Sequence, residues 1–219
     1  MNTEHNFRTK LVMFAAVATL AIPFGSAMSA GPDTISSGNT DHDVSARANM
    51  ASEAALKVGD RAPDFSLVST TGDKISLSQF RGKRHVLLEF YGSDFAPTCG
   101  ANLSARKSDY SKFEALNVQI LGISTNHPFS QKTFAESLQL PYPLLSDFPD
   151  LKVTHQYGGL SLNPTYAQFG IAERAFFLID INGIVRQRWL VKGGEEVIFP
   201  TEPLLKAALA VANNTSAQK

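Results

Sequence analysis

The chain has 219 residues, of which 43% are hydrophobic, and its 20 basic residues balance its 20 acidic ones. This composition is typical of a globular protein with one domain of ordinary size and a real core. Because the charges are interspersed, the sequence argues against a nucleic-acid-binding surface and against a polybasic membrane patch. We expect its partners to be small molecules or proteins.

The first 30 residues have the pattern of a secretory signal. Arg8 and Lys10 precede the apolar run "LVMFAAVATLAIPFGSA", and the small residues of "GSAMSAG" end it. The uninterrupted apolar stretch, residues 11–24, is shorter than the ~20 residues that a membrane-spanning helix needs. We therefore predict a cleaved signal peptide over residues 1–30 and export, with a bacterial periplasm as the expected destination.

The next segment, residues 31–57, is polar, rich in small residues and without hydrophobic periodicity, which predicts a flexible linker. We place one folded domain over residues 58–212 and a polar tail over residues 213–219.

The domain begins with two predicted short strands, "DFSLVS" and "KISLSQF", separated by the turn "TTGD". The run "HVLLEFYG" is nearly continuous in apolar residues, as expected for a strand buried on both faces of a sheet. A helix over "PTCGANLSARKSDYSKFEAL" follows, with Pro97 at its first position.

The alternation then continues with a strand, "VQILGIST", a helix, "PFSQKTFAESLQL", and a short strand, "YPLLSD". In that helix we expect Phe129, Phe134 and Leu138 to share one packed face. After a short helix, "LKVTHQYG", and a long surface loop, the stretch "RAFFLIDINGIVRQRWL" predicts a hairpin turned by Asn-Gly, and a last helix covers "TEPLLKAALAVANN". This order predicts an α/β fold of thioredoxin-like plan, with a central mixed β-sheet flanked by helices.

Cys99 is the single cysteine of the chain, so an internal disulfide is excluded. In the predicted helix it occupies about the third position, where unpaired backbone N–H groups and the helix dipole favour a thiolate. The dipole contributes only about 0.3–1 kcal/mol at an exposed site, so a reactive thiol needs a further cation. Arg174, which opens the first hairpin strand, can face the loop that carries Cys99, but the residues alone do not prove that the two lie close together.

Several blocks, in order, resemble the peroxiredoxins of the AhpC/TSA group: "VGDRAPDFSL", "LEFYGSDFAPTCGANLSARKSDYSKFEALNVQILGIS", "PFSQKTFAESLQLPYPLLSD" and "ERAFFLIDINGIVRQRW". The resemblance implies a thioredoxin-like fold and the reduction of hydrogen peroxide or organic hydroperoxides. On this sequence the family's peroxidatic cysteine matches Cys99, and its strand-borne arginine matches Arg174. Other candidates for the substrate pocket are Tyr91, Ala96, Pro97 and Thr98.

With one cysteine, the sulfenic acid formed at Cys99 has no internal partner, so the pattern resembles a one-cysteine peroxiredoxin. An external thiol would then regenerate it: a thioredoxin-like or glutaredoxin-like protein, or a low-molecular-weight thiol. The resemblance also implies that a homodimer is to be expected. The histidines lack ligand-spaced partners, and we predict neither a metal nor a cofactor.

The sequence departs from the family motif at three positions. Gly92 stands in place of a proline seven residues before the cysteine, Ala96 in place of a threonine or serine three residues before it, and Asn102 in place of the acid often found three residues after it. Ala96 has no side-chain hydroxyl to bind peroxide or to cap the helix.

These departures leave a second hypothesis open. The protein would then be a thioredoxin-fold binding or redox-sensing module that forms a mixed disulfide through Cys99 without turnover. The acidic residue Glu89 lies inside an apolar strand; either it faces the edge of the sheet, or it approaches the site and repels the thiolate.

Overall fold

A computed structural model of the protein describes residues 56–159, 170–191 and 198–216. The strands are β1 Ser66–Ser69, β2 Lys74–Ser76, β3 His85–Phe90, β4 Val118–Ser124, β5 Leu144–Ser146, β6 Ala175–Ile179 and β7 Val185–Leu190. The α-helices are α1 Pro97–Ser108, α2 Tyr110–Ala115, α3 Pro128–Leu138, α4 Lys152–Gln156 and α5 Glu202–Ser216, and a 3₁₀ helix spans Leu77–Phe80. The second predicted strand, "KISLSQF", therefore ends at Ser76, because the chain then turns into the 3₁₀ helix.

The seven strands form one sheet in the order β2-β1-β5-β4-β3-β6-β7. The central pairs β3/β4 and β4/β5 are parallel, whereas β1 and β6 join antiparallel to β5 and β3. The central mixed sheet predicted from the alternation of elements is confirmed.

Side chains of the three central strands alternate between two hydrophobic cores, as a period of two requires. On β3, for example, Val86, Leu88 and Phe90 enter a first core with α4 and the 3₁₀ helix, whereas Leu87 enters a second core. The second core contains Cys99 and side chains from α1, α2, α3 and α5. Every residue of β3 is buried, in agreement with its continuous apolar sequence.

The predicted long helix after β3 is in fact two helices, α1 and α2, divided at Asp109. The backbone of Asp109 (φ −104°, ψ 8°) is outside the helical region. Ser108 Oγ donates to the carbonyl of Ser104, and Asp109 Oδ1 accepts from Lys112 Nζ. The Ser108 hydroxyl thus competes with the helical backbone for the Ser104 carbonyl, which favours a break here without glycine or proline.

Phe129 does not pack with Phe134, contrary to the prediction, and its side chain is 77% exposed. Five residues at 100° each rotate the two side chains 140° apart around the helix. The buried face of α3 is instead formed by Gln131, Phe134 and Ala135, and Gln131 Nε2 donates to Ser124 Oγ and to the carbonyl of Leu145.

The Asn-Gly hairpin between β6 and β7 is confirmed. The amide of Gly183 donates to the carbonyl of Asp180, and that of Asp180 to the carbonyl of Ile184. Gly183 has a φ of +82°, a left-handed conformation that costs glycine little. Asp180 Oδ1 also accepts from the amides of Asn182 and Ile184, which closes the turn.

The predicted boundaries of the domain differ slightly from the observed elements. Leu56 is already buried in the first core, and α5 continues to Ser216, beyond the predicted end at residue 212. The predicted signal peptide, most of the linker and most of the long loop lie outside the described residues. Of the helices that the structure describes, none has the length and apolarity needed to cross a membrane.

Candidate active site

Cys99 lies in the first turn of α1, as predicted. Pro97 is exposed at the first position of the helix, and Ala96 precedes it with extended backbone (φ −66°, ψ 128°). Cys99 is therefore the third helical residue, where backbone N–H groups have no partner within the helix. Its side chain is only 4% exposed and packs in the second core, so the sulfur is shielded from bulk water.

Arg174 is brought to Cys99 by the fold. Its Nη2 donates to Cys99 Sγ at 3.8 Å, and its side chain is 7% exposed. It directly precedes β6, and its carbonyl accepts from the amide of Val191. The buried guanidinium next to the sulfur is the cation that a thiolate at Cys99 requires in addition to the helix dipole. It can donate hydrogen bonds both to the thiolate and to a peroxide oxygen.

A second buried cation and a buried acid belong to the same region. Glu89 on β3 and Arg106 on α1 are both fully buried, with Arg106 Nε 3.8 Å from Glu89 Oε2. The guanidinium of Arg106 donates to Thr201 Oγ1 and to the carbonyl of Phe199, and it lies 5.4 Å from the centre of the Phe176 ring. Glu89 therefore does not face the edge of the sheet; it lies inside, on a central strand.

Burial strongly affects the ionisation of Glu89. Its two carboxylate oxygens accept no hydrogen bond from the described residues, so the carboxylate has lost its hydration without a full replacement. Desolvation raises the pKa of Glu89 to about 7, against the opposing attraction of Arg106 and Arg174. Near neutral pH, Glu89 is thus present in both its protonated and its ionised form.

This ionisation should make folding stability depend on pH. The pKa of Glu89 is about 7 in the folded protein and about 4.5 in the unfolded chain. A carboxyl with a raised pKa contributes its full stabilisation at pH values below the pKa of the unfolded chain. That contribution is lost as the pH rises to the pKa of the folded protein. We expect the free energy of unfolding of the wild type, minus that of Glu89→Gln, to fall by about 3 kcal/mol across this range. Chemical denaturation of both proteins at several pH values measures it.

The difference in free energy of unfolding between the two proteins cancels the contributions of the other titrating groups. Burial also raises the pKa of Asp94 and lowers that of His85, but both are present in wild type and variant. A difference that is constant with pH would contradict the prediction.

The three departures from the family motif have distinct structural settings. The side chain of Ala96 forms no cap on α1. A Cβ at Gly92 would lie 3.3 Å from Ile171 Cγ2 and 3.5 Å from the carbonyl of Ala172, so the neighbouring segment leaves little room there. Asn102 is fully buried: its Nδ2 donates to the carbonyl of Thr98, and its Oδ1 accepts from the amide of Phe199. Asn102 thus ties the first turn of α1 to the segment before α5.

Tyr91, a predicted pocket candidate, is fully buried in the second core with Cys99. Its hydroxyl donates to Asp94 Oδ1 at 2.9 Å, and Ser130 Oγ donates to Asp94 Oδ2. Burial, followed by the nearby Asp94 charge, holds the pKa of Tyr91 well above its usual range. Because the Tyr91 hydroxyl already donates to Asp94, we interpret Tyr91 as part of the wall of the site and not as a donor to peroxide.

No cluster of three potential metal ligands occurs among the residues that the structure describes. His127 instead begins α3, where its Nδ1 accepts from the amide of Phe129. A cleft of about 530 Å³ lies beside Asp64, Ser146 and Lys152, next to the first core, and Cys99 does not line it.

Sequence reasoning missed Arg106. An arginine seven positions after Cys99 lies on the same face of α1 as the cysteine, two helical turns away, and that spacing was the available signal. The signal was ambiguous because an arginine on a surface helix has the same spacing, and the contact of Glu89 with Arg106 becomes visible only in the folded chain.

Comparison with known proteins identifies the family. The sequence model described as the AhpC/TSA family matches residues 58–188. The chain belongs to the AhpC/TSA family. This confirms the peroxiredoxin resemblance and, with it, the thioredoxin-like fold.

Relatives and solved structures agree with the assignment to the AhpC/TSA family. The chain is 33% identical over 136 residues to the putative peroxiredoxin bcp of Coxiella burnetii, covering 62% of this chain and 89% of that protein. It is 34% identical over 141 residues to alkyl hydroperoxide reductase E of Mycobacterium tuberculosis, covering 64% and 89%.

Among solved structures, peroxidoxin BcpB of Mycobacterium tuberculosis superposes with a TM-score of 0.62 at 26% identity, covering 71% of this chain and 98% of that one. Reduced 2-Cys peroxiredoxin of Plasmodium vivax superposes with a TM-score of 0.64 at 25% identity, covering 73% and 83%.

Proposed function

We propose that this protein is a thiol-dependent peroxidase that reduces hydrogen peroxide or organic hydroperoxides through Cys99. The single observation that carries the assignment of the nucleophile is the 3.8 Å contact between Arg174 Nη2 and Cys99 Sγ in a buried site. The chain has no other cysteine, so the thiol that reacts with peroxide must be this one.

The reaction is a displacement at oxygen. The Cys99 thiolate attacks one oxygen of the peroxide, the S–O bond forms with the electron pair of sulfur, and the O–O bond breaks. The other oxygen leaves with the O–O electron pair as hydroxide or alkoxide and takes a proton to become water or an alcohol. Arg174 stabilises the charge as it moves from sulfur to the leaving oxygen.

Turnover requires two external thiols. The first attacks the sulfur of the sulfenic acid, forming a mixed disulfide with Cys99 and releasing water, and the second displaces Cys99 as a thiol and leaves an external disulfide. Because Cys99 is 4% exposed, a small thiol can reach it more readily than a protein thiol can. A protein reductant requires the first turn of α1 to open.

The first experiment compares the full-length protein with Cys99→Ser. Stopped-flow mixing with stoichiometric hydrogen peroxide, followed by dimedone trapping and mass spectrometry, measures sulfenic-acid formation. We expect the wild type to be oxidised orders of magnitude faster than a free thiol and Cys99→Ser to form no adduct. A wild-type rate like that of free cysteine would instead favour the binding or redox-sensing module.

Repeated addition of peroxide with excess thiol then separates the two functions. An enzyme consumes many equivalents of peroxide, whereas a module that reacts once consumes one. Dithiothreitol, glutathione and a thioredoxin system, tested in parallel, identify the class of reductant.

Export and assembly complete the proposal. Export to a bacterial periplasm, with removal of residues 1–30, is supported by the charged and apolar pattern of the N-terminal sequence. N-terminal sequencing of the protein from a periplasmic fraction tests it, and light scattering tests the expected homodimer.

A further inference from the structure

Four charged or ionisable groups meet on the face of the sheet that α1 covers. Cys99 and Arg106 come from α1, Glu89 from β3, and Arg174 from the residue before β6. Each is at most 7% exposed. When Cys99 and Glu89 are both ionised, two negative and two positive charges balance within this buried region, which is the condition under which buried charges are tolerated.

The order of these charges is informative. Arg106 Nε is 3.8 Å from Glu89 Oε2, Arg174 Nη2 is 3.8 Å from Cys99 Sγ, and Glu89 feels the attraction of both guanidinium groups. Burial lowers the pKa of Arg106, and repulsion by the positive charge of Arg174 lowers it further. Glu89 pairs with Phe176 across β3 and β6, and Arg174 lies two residues before Phe176, so the period of two directs Glu89 and Arg174 to the same face of the sheet. Glu89 is therefore an acidic neighbour of both cations.

Arg106 is fixed independently of this carboxylate. Its guanidinium donates to Thr201 Oγ1 and to the carbonyl of Phe199, and it lies over the ring of Phe176, which pairs with Glu89 across β3 and β6. Glu89 thus lies 3.8 Å from a cation that is fixed on α1, and on the same face of the sheet as Arg174, which contacts the sulfur.

We propose that Glu89, held by Arg106, is a positioning residue for peroxide reduction, and that its carboxylate keeps the Arg174 guanidinium directed at Cys99. When Cys99 becomes a neutral sulfenic acid, the Glu89 carboxylate still attracts Arg174, which favours the same orientation of the guanidinium in the next cycle. Ala96 has no hydroxyl, so the orientation of the Arg174 guanidinium, which donates to Cys99 Sγ, matters correspondingly more. This assignment rests on the proposed peroxidase function.

The proposal predicts a specific pH dependence. Among the described residues, the groups acting on Glu89 are Arg106 from α1 and Arg174 before β6, and Glu89 in turn acts on the hydroxyl of Tyr142 before β5. Tyr91, which directly follows β3, also acts on Tyr142. Burial holds the pKa of both tyrosines well above the usual range, so neither hydroxyl ionises near neutral pH. Glu89, whose pKa is raised to about 7 by burial, therefore changes its charge near neutral pH.

The experiment measures the second-order rate constant of Cys99 oxidation by hydrogen peroxide in the full-length protein, from about pH 5.5 to about pH 8.5, a range that spans the titration of a group near pH 7. The thiolate fraction, measured at each pH by ultraviolet absorbance, converts this to a rate constant per thiolate. We expect the wild-type value to rise roughly tenfold across the range, because a misplaced catalytic group costs at least that much. Glu89→Gln, which mimics the protonated state, should keep the low value at every pH.

Asp147→Asn is the matched control. Asp147 is another buried carboxylate, and its oxygens accept from the amides of Val153 and Thr154 at the start of α4, next to the first core. Its conversion to an amide should leave the shape of the profile unchanged, even if it lowers stability.

Each remaining outcome overturns the proposal. Parallel profiles for wild type and Glu89→Gln would mean that Glu89 is merely structural. If the wild-type rate constant per thiolate does not change through neutral pH, the proposal is contradicted by the wild type alone. This test holds even if Glu89→Gln fails to fold. A wild type that is oxidised only as fast as free cysteine at all pH values would overturn the peroxidase function itself, and is distinguishable from the first two because no fast phase exists.

Discussion

Replacing Arg174 by alanine should slow the oxidation of Cys99 by hydrogen peroxide by about 10²–10³-fold, the typical cost of removing one positioned donor from a site where charge develops. The guanidinium is buried and donates to Cys99 Sγ, so no water can replace it at full strength. Arg174→Lys keeps the charge but loses the planar fork, and we expect an intermediate rate. The second-order rate constant, corrected for the thiolate fraction, is the measurement.

Arg186→Ala is the control for loss of an arginine from the same sheet. Arg186 on β7 forms an ion pair with Asp180 at 2.6 Å, near the hairpin turn, and its side chain is 47% exposed. Its removal should leave the oxidation rate unchanged. Equal oxidation rates for Arg174→Ala and the wild type would show that Arg174 has no role in the reaction of Cys99 with peroxide.

Replacing Ala96 by threonine should raise the same rate constant by about tenfold or more, because the hydroxyl adds a donor at the mouth of the site. The backbone of Ala96 is extended, as a residue that caps a helix requires, and α1 has no side-chain cap. The threonine should therefore also stabilise the protein, by about 1 kcal/mol. Stopped-flow oxidation and urea denaturation measure the two effects.

Ala96→Val separates the hydroxyl from the added volume. Valine has the shape of threonine but can neither cap the helix nor bind peroxide, so neither the rate nor the stability should rise. If valine and threonine give the same rate, the hydroxyl is not what this site lacks.

The local features of the fold were predictable because local physics dictates them. The apolar run of β3, the proline at the start of α1 and the Asn-Gly hairpin each depend on residues close in sequence. Where several weak signals compete, prediction was wrong. The break at Asp109 accompanies the bond from the Ser108 hydroxyl to the Ser104 carbonyl, and the exposure of Phe129 depends on which face of α3 meets the sheet.

At the site, the reacting group could be identified from the sequence. One cysteine, in the first turn of a helix that follows a buried strand, leaves no other thiol, and the family blocks around it point to peroxide chemistry. Arg174 could be named only through the resemblance, since residues 75 positions apart carry no local signal of contact.

The charges around the sulfur, in contrast, follow from long-range packing. Glu89 is an acid in an apolar strand, and Arg106 an arginine on a helix; each alone is typical of an exposed side chain. The strand order places β3 in the centre of the sheet, and the alternation of its side chains directs Glu89 towards α1. Long-range packing thereby brings two residues of types that are usually exposed into a buried ion pair on the same face of the sheet as the reactive cysteine.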